Sequence, residues 1–415
     1  MLDTEKIGAF IAEKRRQHCM TQQQLAGRLN ISFQAVSKWE NGTACPNIEL
    51  LTELAAVLGV TADELLAGRE RAEEGLSYSR AGVDIAYTDA MKREMAGVLE
   101  RGDRRVLNGL GAFASLYDID FPDMKHPVLV LKSEEPGSKQ KLAVEYGYTE
   151  SICHDMINHL VNDIIVMGAK PLAVLDTIVC GNAEKDTIHA LVKGISDACR
   201  ENECSLVGGE TSIQPQVVNA GTYVLTASIA GIVEKERIID GSAVREGDVV
   251  LAAASNGLHT NGYSLVRLMM ERMPQIKLER IESLTFIEQI MKPHTPYYKA
   301  VKEAVEGKLL HAMAHITGGG IAGNLCRVIP DGLTARIDLS SLRIPAIFRF
   351  IREQGGIRED EMLRTFNCGV GLVLVTGREH AETVKRLVSR QCACYEIGEI
   401  VSGQERVRLE GRMSW

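Results

Sequence analysis

The feature that most constrains this chain is a change of character between residues 68 and 76. Before it, apolar residues recur at helical spacing; after it, strand-like and helical runs alternate across short glycine-rich connections. The segment Gly68-Arg-Glu-Arg-Ala-Glu-Glu-Gly75 is charged, bounded by glycine and without apolar periodicity, as a hinge or solvated linker is. A small all-α unit and a larger α/β body therefore share one polypeptide. At 415 residues the chain exceeds one ordinary core. The expected division is a helical domain over 1–68, a linker over 69–76, and two α/β domains over 77–240 and 241–415.

In the first unit Ile7, Phe10 and Ile11 fall at helical spacing. Lys14, Arg15 and Arg16 end that helix, where cations suit the dipole and can reach phosphates. Thr21 with Gln24 three residues on has the capping-box pattern, opening a helix over 22–29 that buries Leu25, Ala26 and Leu29. Ser32 caps the next helix, 33–40, which buries Val36 and leaves Gln34, Ser37 and Lys38 outward. Glutamine pairs bidentately with adenine and serine bonds either base type, which suits a recognition helix. Gly42 closes it, and helices over 48–58 and 61–66 follow. The string Thr21-Gln-Gln-Gln-Leu-Ala, Ile31-Ser, Ala35-Val-Ser-Lys-Trp-Glu-Asn-Gly42 and Pro46 resembles the Cro/repressor (Xre-type) helix-turn-helix family. That resemblance implies DNA contact through Gln34, Ser37 and Lys38. Residues 1–68 carry six basic and eight acidic side chains, so a monomer should hold DNA weakly and a dimer on two half-sites more firmly.

The second part reads as α/β. Strand-like runs lie at 128–131, 173–179, 224–233, 248–254, 334–337 and 370–375; helical runs lie at 151–167, 186–201, 262–273, 297–306 and 381–390. Glycine-rich connections sit at 109–113, 133–139, 207–211, 255–262, 315–320 and 365–371. Glycine lets several backbone N–H groups converge on one anion, and a helix opening from such a loop adds its dipole. None of these loops has the Walker or dinucleotide fingerprint. Asp155 and Asp163, eight apart on one expected helix, share roughly a side, and Glu134, Asp176 and Glu210 end or follow strands. Mg²⁺ on nucleotide phosphates asks for one or two such carboxylates.

Composition narrows the classes. The 10 cysteines form no Cys-x-x-Cys pair and no zinc-like spacing with histidine, so most are expected as small core residues in a reducing compartment. No apolar run approaches the ~20 residues that span a bilayer, and the N-terminus lacks a secretory pattern. The expectation is a cytoplasmic protein away from membranes. A formal net charge of −8 argues against coating nucleic acid through charge alone.

Eight motifs then follow in order: Tyr78-x-x-Ala-Gly-Val-Asp-Ile85, Asn108-Gly-Leu-Gly-Ala-Phe113, Asp155 with Val161-Asn-Asp163 and Gly168-Ala-x-Pro171, Leu206-Val-Gly-Gly-Glu-Thr211, Ile238-Ile-Asp-Gly241, His259-x-Asn-Gly-Tyr-Ser264, Ala314-His-Ile-Thr-Gly-Gly-Gly320 and Arg364-Thr-Phe-Asn-Cys-Gly-Val-Gly371. Together they resemble the phosphoribosylformylglycinamidine cyclo-ligase (aminoimidazole ribonucleotide synthetase) family of purine biosynthesis. The resemblance implies two α/β domains, a homodimer around a shared β-barrel, and an ATP- and Mg²⁺-dependent ring closure on a purine-pathway ribotide. ATP phosphorylates the substrate's amide oxygen, the internal amine attacks that carbon, and phosphate leaves. Positioning and electrostatics carry such a reaction.

On matched positions the resemblance implies Asp155, Glu134 and Glu210 as metal ligands. It places Gly137, Ser138, Lys139, Gly208 and Gly209 around the nucleotide, with Thr317, Gly318 and Gly319 also lining bound ligand. His259, Asn261 and Asn367 take the catalytic, substrate-facing side. Two stretches depart from the family. Its Thr-Asp-Gly-Val-Gly-Thr-Lys is here Ser133-Glu-Glu-Pro-Gly-Ser-Lys139. Glu134 keeps a carboxylate, Glu135 replaces a glycine and adds charge, and Pro136 removes an N–H donor. Ser212-Ile-Gln-Pro-Gln216 replaces Ala-Glu-Met-Pro-Gly. These departures frame an alternative, a catalytically impaired sensor or transcriptional regulator that binds a purine intermediate or nucleotide.

Overall fold

The computed structural model describes residues 3–70, 90, 103–108, 112–182 and 184–415. The motif at 78–85, residues 71–76 of the linker and residues 109–111 of the first glycine loop lie outside the described residues. Two compact units make up the chain, Met1–Ser77 and Tyr78–Trp415.

The first unit contains α1 (Thr4–Gln17), α2 (Gln22–Arg28), α3 (Phe33–Glu40), α4 (Ile48–Leu58) and α5 (Ala62–Ala67). Local chemistry sets their starts: Thr21 and Thr61 each complete a capping box, and Asp3 and Ser32 accept from backbone N–H groups three residues on. Ile11, Leu25, Val36, Leu54 and Leu65 close the core. Two contacts join α1 to α3. A Cβ on Gly8 would lie 2.1 Å from the Trp39 carbonyl oxygen, so only glycine permits the approach. The Arg15 guanidinium forks onto Glu40 at 2.6 and 2.8 Å and gives a third bond to the Met20 carbonyl. Gln22 donates to the same carboxylate. The expectation that Lys14 and Arg15 reach phosphates is therefore corrected, because Lys14 is buried on Gln17 and Glu70 and Arg15 is spent on Glu40. Arg16 stays exposed.

The second unit begins with β1 (Pro127–Glu134), β2 (Lys170–Cys180), β3 (Ser205–Ile213) and β4 (Tyr223–Glu234), which form one sheet in the order β1-β4-β2-β3. Between β1 and β2 run α6 (Lys139–Tyr146) and α7 (Thr149–Ile165); α8 (Lys185–Glu201) is the crossover between the parallel strands β2 and β3. On the opposite face Leu129, Leu131, Leu175 and Val224 are 52, 71, 47 and 39% exposed. The second lobe starts with β5 (Val249–Ala254), α9 (Tyr263–Arg272) and a short hairpin of β6 (Arg280–Ile281) and β7 (Leu284–Thr285). Then come α10 (Phe286–Ile290), α11 (Tyr298–Glu306), β8 (Ala312–His315), α12 (Gly320–Leu325), β9 (Leu333–Asp338), β10 (Val370–Thr376), β11 (Cys394–Ser402) and β12 (Val407–Glu410). The sheet order is β12-β9-β11-β5-β10-β8. Residues 249–253 of β5 and every residue of β10 are buried, as unbroken apolar strands require.

One expected loop is a strand. Residues 207–211 lie within β3, with Gly208, Gly209 and Glu210 opposite Leu175, Asp176 and Thr177. Their bareness serves the protein itself. A Cβ at Gly209 would sit 1.9 Å from Asp176 Oδ1, and one at Gly208 would sit 2.7 Å from Ser115 Oγ. Six of the cysteines are buried and all ten are free thiols, in keeping with the core role expected for most of them.

Candidate functional site

Helix α7 is the axis of the site. Asp155, Asn158 and Asn162 recur at helical spacing on a buried face of this mostly apolar helix. They hydrogen-bond the irregular segment that leads from α10 into α11. His294 N donates to Asp155 Oδ1 (2.8 Å), Asn158 Nδ2 to the His294 carbonyl (2.6 Å), Asn162 Nδ2 to the Thr295 carbonyl (2.9 Å), and Tyr297 N to Asn162 Oδ1 (3.0 Å). A buried non-helical backbone needs such partners. Helix α7 thereby ties the first lobe to the second.

Lys139 completes the tie. Its ammonium is fully buried and donates to Asp155, to the His259 carbonyl (3.1 Å) and to the Lys292 carbonyl (2.7 Å). Three donors meet three acceptors. Burial pushes the Asp155 carboxyl up to about 6 against the opposing pull of Lys139, and it pushes the Lys139 ammonium down. The sequence placed Lys139 on phosphate and Asp155 on metal. In the structure the two side chains pair with each other.

Further along α7, four histidines converge from four separate segments. His315 Nδ1 donates to Asp163 Oδ1 (2.7 Å), and its Nε2 meets His294 Nε2 at 2.9 Å. His294 stacks on His259 with ring centroids 3.9 Å apart. His159 bonds Thr260 Oγ1 at 3.1 Å and has Nε2 3.7 Å from Asp163. Lys132 bridges Asp163 (3.0 Å) and Glu134 (2.9 Å). Burial, reinforced by His315, pushes His159 down to about 4, and burial drives His259 and His294 well below the usual histidine value. Burial alone would raise Asp163, but the His315 hydrogen bond and the nearby histidine and Lys132 groups hold it well below the carboxylate range. Sequence reasoning missed His159 and His294 entirely. No short spacing joins the four, so the absence of zinc-like spacing gave no warning of the cluster.

The remaining expected residues divide. Gly137 has φ +63° and lies against Thr260, beside Ser138 at the start of α6. His259 is buried in a left-handed conformation, φ +61°. Asn261 has a buried Nδ2 with no hydrogen-bond partner among the described residues, and its Oδ1 is the nearest atom to where a Gly318 side chain would begin. Asn324 clasps the loop of Thr317, Gly318 and Gly319 by donating to the carbonyls of Thr317, Gly318 and Gly320. Asn367 makes three hydrogen bonds: Oδ1 accepts from Ser255 Oγ and Gly369 N, and Nδ2 donates to the Gly257 carbonyl. It braces two loops. Gly208, Gly209 and Glu210 line a separate open groove of about 880 Å³ with Lys132, Ser133 and Asp176. Burial, with the Glu210 charge, pushes the Asp176 carboxyl up to about 7. Among the described residues, Glu134, Asp155 and Glu210 are not gathered about one point. In the first unit Gln34 and Lys38 are exposed and Ser37 half-buried on α3, while Val36 and Trp39 turn inward.

Comparison with known proteins follows this geometry. Models described as AIR synthase related protein match residues 128–233 (N-terminal domain) and 245–410 (C-terminal domain), and a helix-turn-helix model matches residues 11–65. The phosphoribosylformylglycinamidine cyclo-ligase of Methylobacillus flagellatus is 40% identical over 341 residues, covering 82% of this chain and 96% of that protein. Thiamine-monophosphate kinase from Stenotrophomonas maltophilia shares the fold at TM-score 0.54 and 19% identity, over 80% of this chain and 98% of that one. The hydrogenase maturation protein HypE, solved in complex with ATP, does so at TM-score 0.52 and 16% identity, over 81% and 92%. No helix among the described residues is long and apolar enough to cross a membrane.

Proposed function

The chain belongs to the phosphoribosylformylglycinamidine cyclo-ligase (AIR synthase) family with a helix-turn-helix module fused ahead, and on that premise we propose that its second unit catalyses the family's ATP-dependent ring closure. The observation that carries the proposal is 40% identity spanning 96% of a cyclo-ligase. In the reaction an ATP phosphoryl group passes to the amide oxygen of formylglycinamidine ribonucleotide and ADP departs. The internal amine then forms the C–N bond as the C–O bond to phosphate breaks and the amine sheds its proton.

The residues of this chain suit named parts of that work. Gly137 and Ser138, at the start of α6, offer backbone N–H groups and a helix dipole to phosphate, while the N–H groups of Gln140 and Lys141 already bond the Gly137 and Ser138 carbonyls. Asn261, with an unspent amide, orients the substrate beside Thr317, Gly318 and Gly319. Burial keeps His259 neutral, an uncharged imidazole in the loop between β5 and α9. Bound Mg²⁺ supplies counter-charge to the phosphates. Glu134 and Glu210 retain accessible carboxylates that fit it, whereas Asp155 holds Lys139. The bare apolar face around Leu129, Leu131, Leu175 and Val224 supports a homodimer closed across that sheet. The outward set Gln34, Ser37 and Lys38 supports DNA reading by the first unit.

The test is ADP release coupled to a colour reaction, with and without formylglycinamidine ribonucleotide. Substrate-dependent turnover is expected. A folded, ATP-binding chain without it overturns the proposal, and recovery in the Glu134→Asp/Glu135→Gly/Pro136→Val variant would then assign the loss to the loop.

A further inference from the structure

We propose that His259, His294 and His315 form a binding site for a first-row transition-metal dication of the Zn²⁺ class, separate from any Mg²⁺ carried with nucleotide. One ligand atom from each ring lies within 4.8 Å of the others, and the three side chains are 1, 1 and 6% exposed. They come from the loop between β5 and α9, the segment entering α11, and the end of β8, so an ion would cross-link three stretches of the second lobe.

The protonation pattern suits ligation. Asp163 is a carboxylate and accepts from His315 Nδ1, so that nitrogen carries the proton and the His315 Nε2 lone pair faces His294 Nε2 at 2.9 Å, a hydrogen bond that an ion held between the two rings would replace. A carboxylate behind a histidine is the usual way of fixing a ligand's tautomer. His259 Nδ1 and His294 Nδ1 are buried with no hydrogen-bond partner among the described residues, while His259 Nε2 faces the Thr295 N–H and hydroxyl. The His259 and His294 rings stack at 22° with centroids 3.9 Å apart, which holds them side by side.

Ligand type selects the ion. Imidazoles suit Zn²⁺, Co²⁺ or Ni²⁺, whereas Mg²⁺ prefers oxygen. Charge is also favourable: Asp155, Asp163 and Glu134 outnumber Lys132 and Lys139 around the cluster. The overlapping group of His159, Asp163 and His315 is the weaker candidate. There His315 Nδ1 is committed to Asp163, and Lys132 already neutralises that carboxylate.

The test uses the full chain, stripped with a chelator and titrated with Zn²⁺ and Co²⁺, reading metal content, calorimetry and the visible Co²⁺ spectrum. One equivalent per chain is expected, with the strong absorption of low-coordinate nitrogen-ligated Co²⁺. His294→Gln should lower affinity at least 100-fold, Asp163→Asn about 10–100-fold, and His159→Gln little. Each variant is checked for folding by circular dichroism, and the wild-type Co²⁺ spectrum needs no variant. Absent stoichiometric uptake, a purely octahedral aquo-like spectrum, or uptake lost in His159→Gln but kept in His294→Gln overturns the proposal. None of these readouts involves turnover, so they stand apart from the cyclo-ligase assay.

Discussion

At the scale of the residue, Lys139 and Asp155 carry the junction of the two lobes. Both are fully buried, and neither has water to fall back on if its partner is removed. Lys139→Ala should cost about 3–5 kcal/mol, because it leaves a buried carboxylate unpaired. Lys139→Met with Asp155→Leu should recover much of that. Urea denaturation of the three chains measures it, and equal losses in both variants would mean that the pair's charge is not what matters. Asp176 gives the pH test. Its carboxyl is raised from 3.8 to about 7, so between those values the unfolded chain ionises while the folded one must stay protonated. Wild-type stability attributable to this group therefore falls as pH rises from about 4 to about 7 and is level above. Asp176→Asn has no such loss, and its advantage should grow across that window to the order of 4 kcal/mol. A constant difference in Tm from pH 4 to pH 8 would contradict this.

At the scale of the element, legibility followed the range of the interactions. The starts of α2, α3 and α5 were readable because Thr21, Ser32 and Thr61 bond groups three residues away. The strands β5 and β10 were readable because an unbroken apolar run has few other homes. Strand β3 was not, because Gly208-Gly209 looks like a turn until Asp176 and Ser115 occupy the space. Strands β8, β11 and β12 also went unread: β8 has only four residues, and β11 is interrupted by polar residues and Gly398. Between α1 and α3, glycine has a single use at Gly8. Gly8→Ala puts a methyl group against the Trp39 carbonyl and should destabilise the first unit by about 1–3 kcal/mol. Trp39 fluorescence in a Trp415→Phe background follows that unit through urea; an unchanged midpoint would show that α1 can retreat without cost.

At the scale of the whole molecule, the site is made by segments that no local pattern connects. His159, His259, His294 and His315 meet only because α7 aligns its polar face with the segment entering α11. The glycine loops and His259 were visible in the sequence, whereas the partners that occupy Lys139, Asp155 and Asn367 were not. Assembly adds a second test at this scale. The proposed homodimer across the exposed sheet face predicts a wild-type dimer in sedimentation that Leu131→Asp turns into a monomer; a monomeric wild type, or an unchanged mass in the variant, would contradict it.

The central claim is that the second unit is a working cyclo-ligase despite the altered stretch from Ser133 to Lys139. Its most direct measurement is ADP release from ATP as formylglycinamidine ribonucleotide is added to the full chain. Turnover that saturates with the ribotide and vanishes without it is the expected result. Ribotide-independent ATP hydrolysis, or no turnover by the wild-type chain, would contradict it, and recovery in the Glu134→Asp/Glu135→Gly/Pro136→Val variant would place the loss in that stretch.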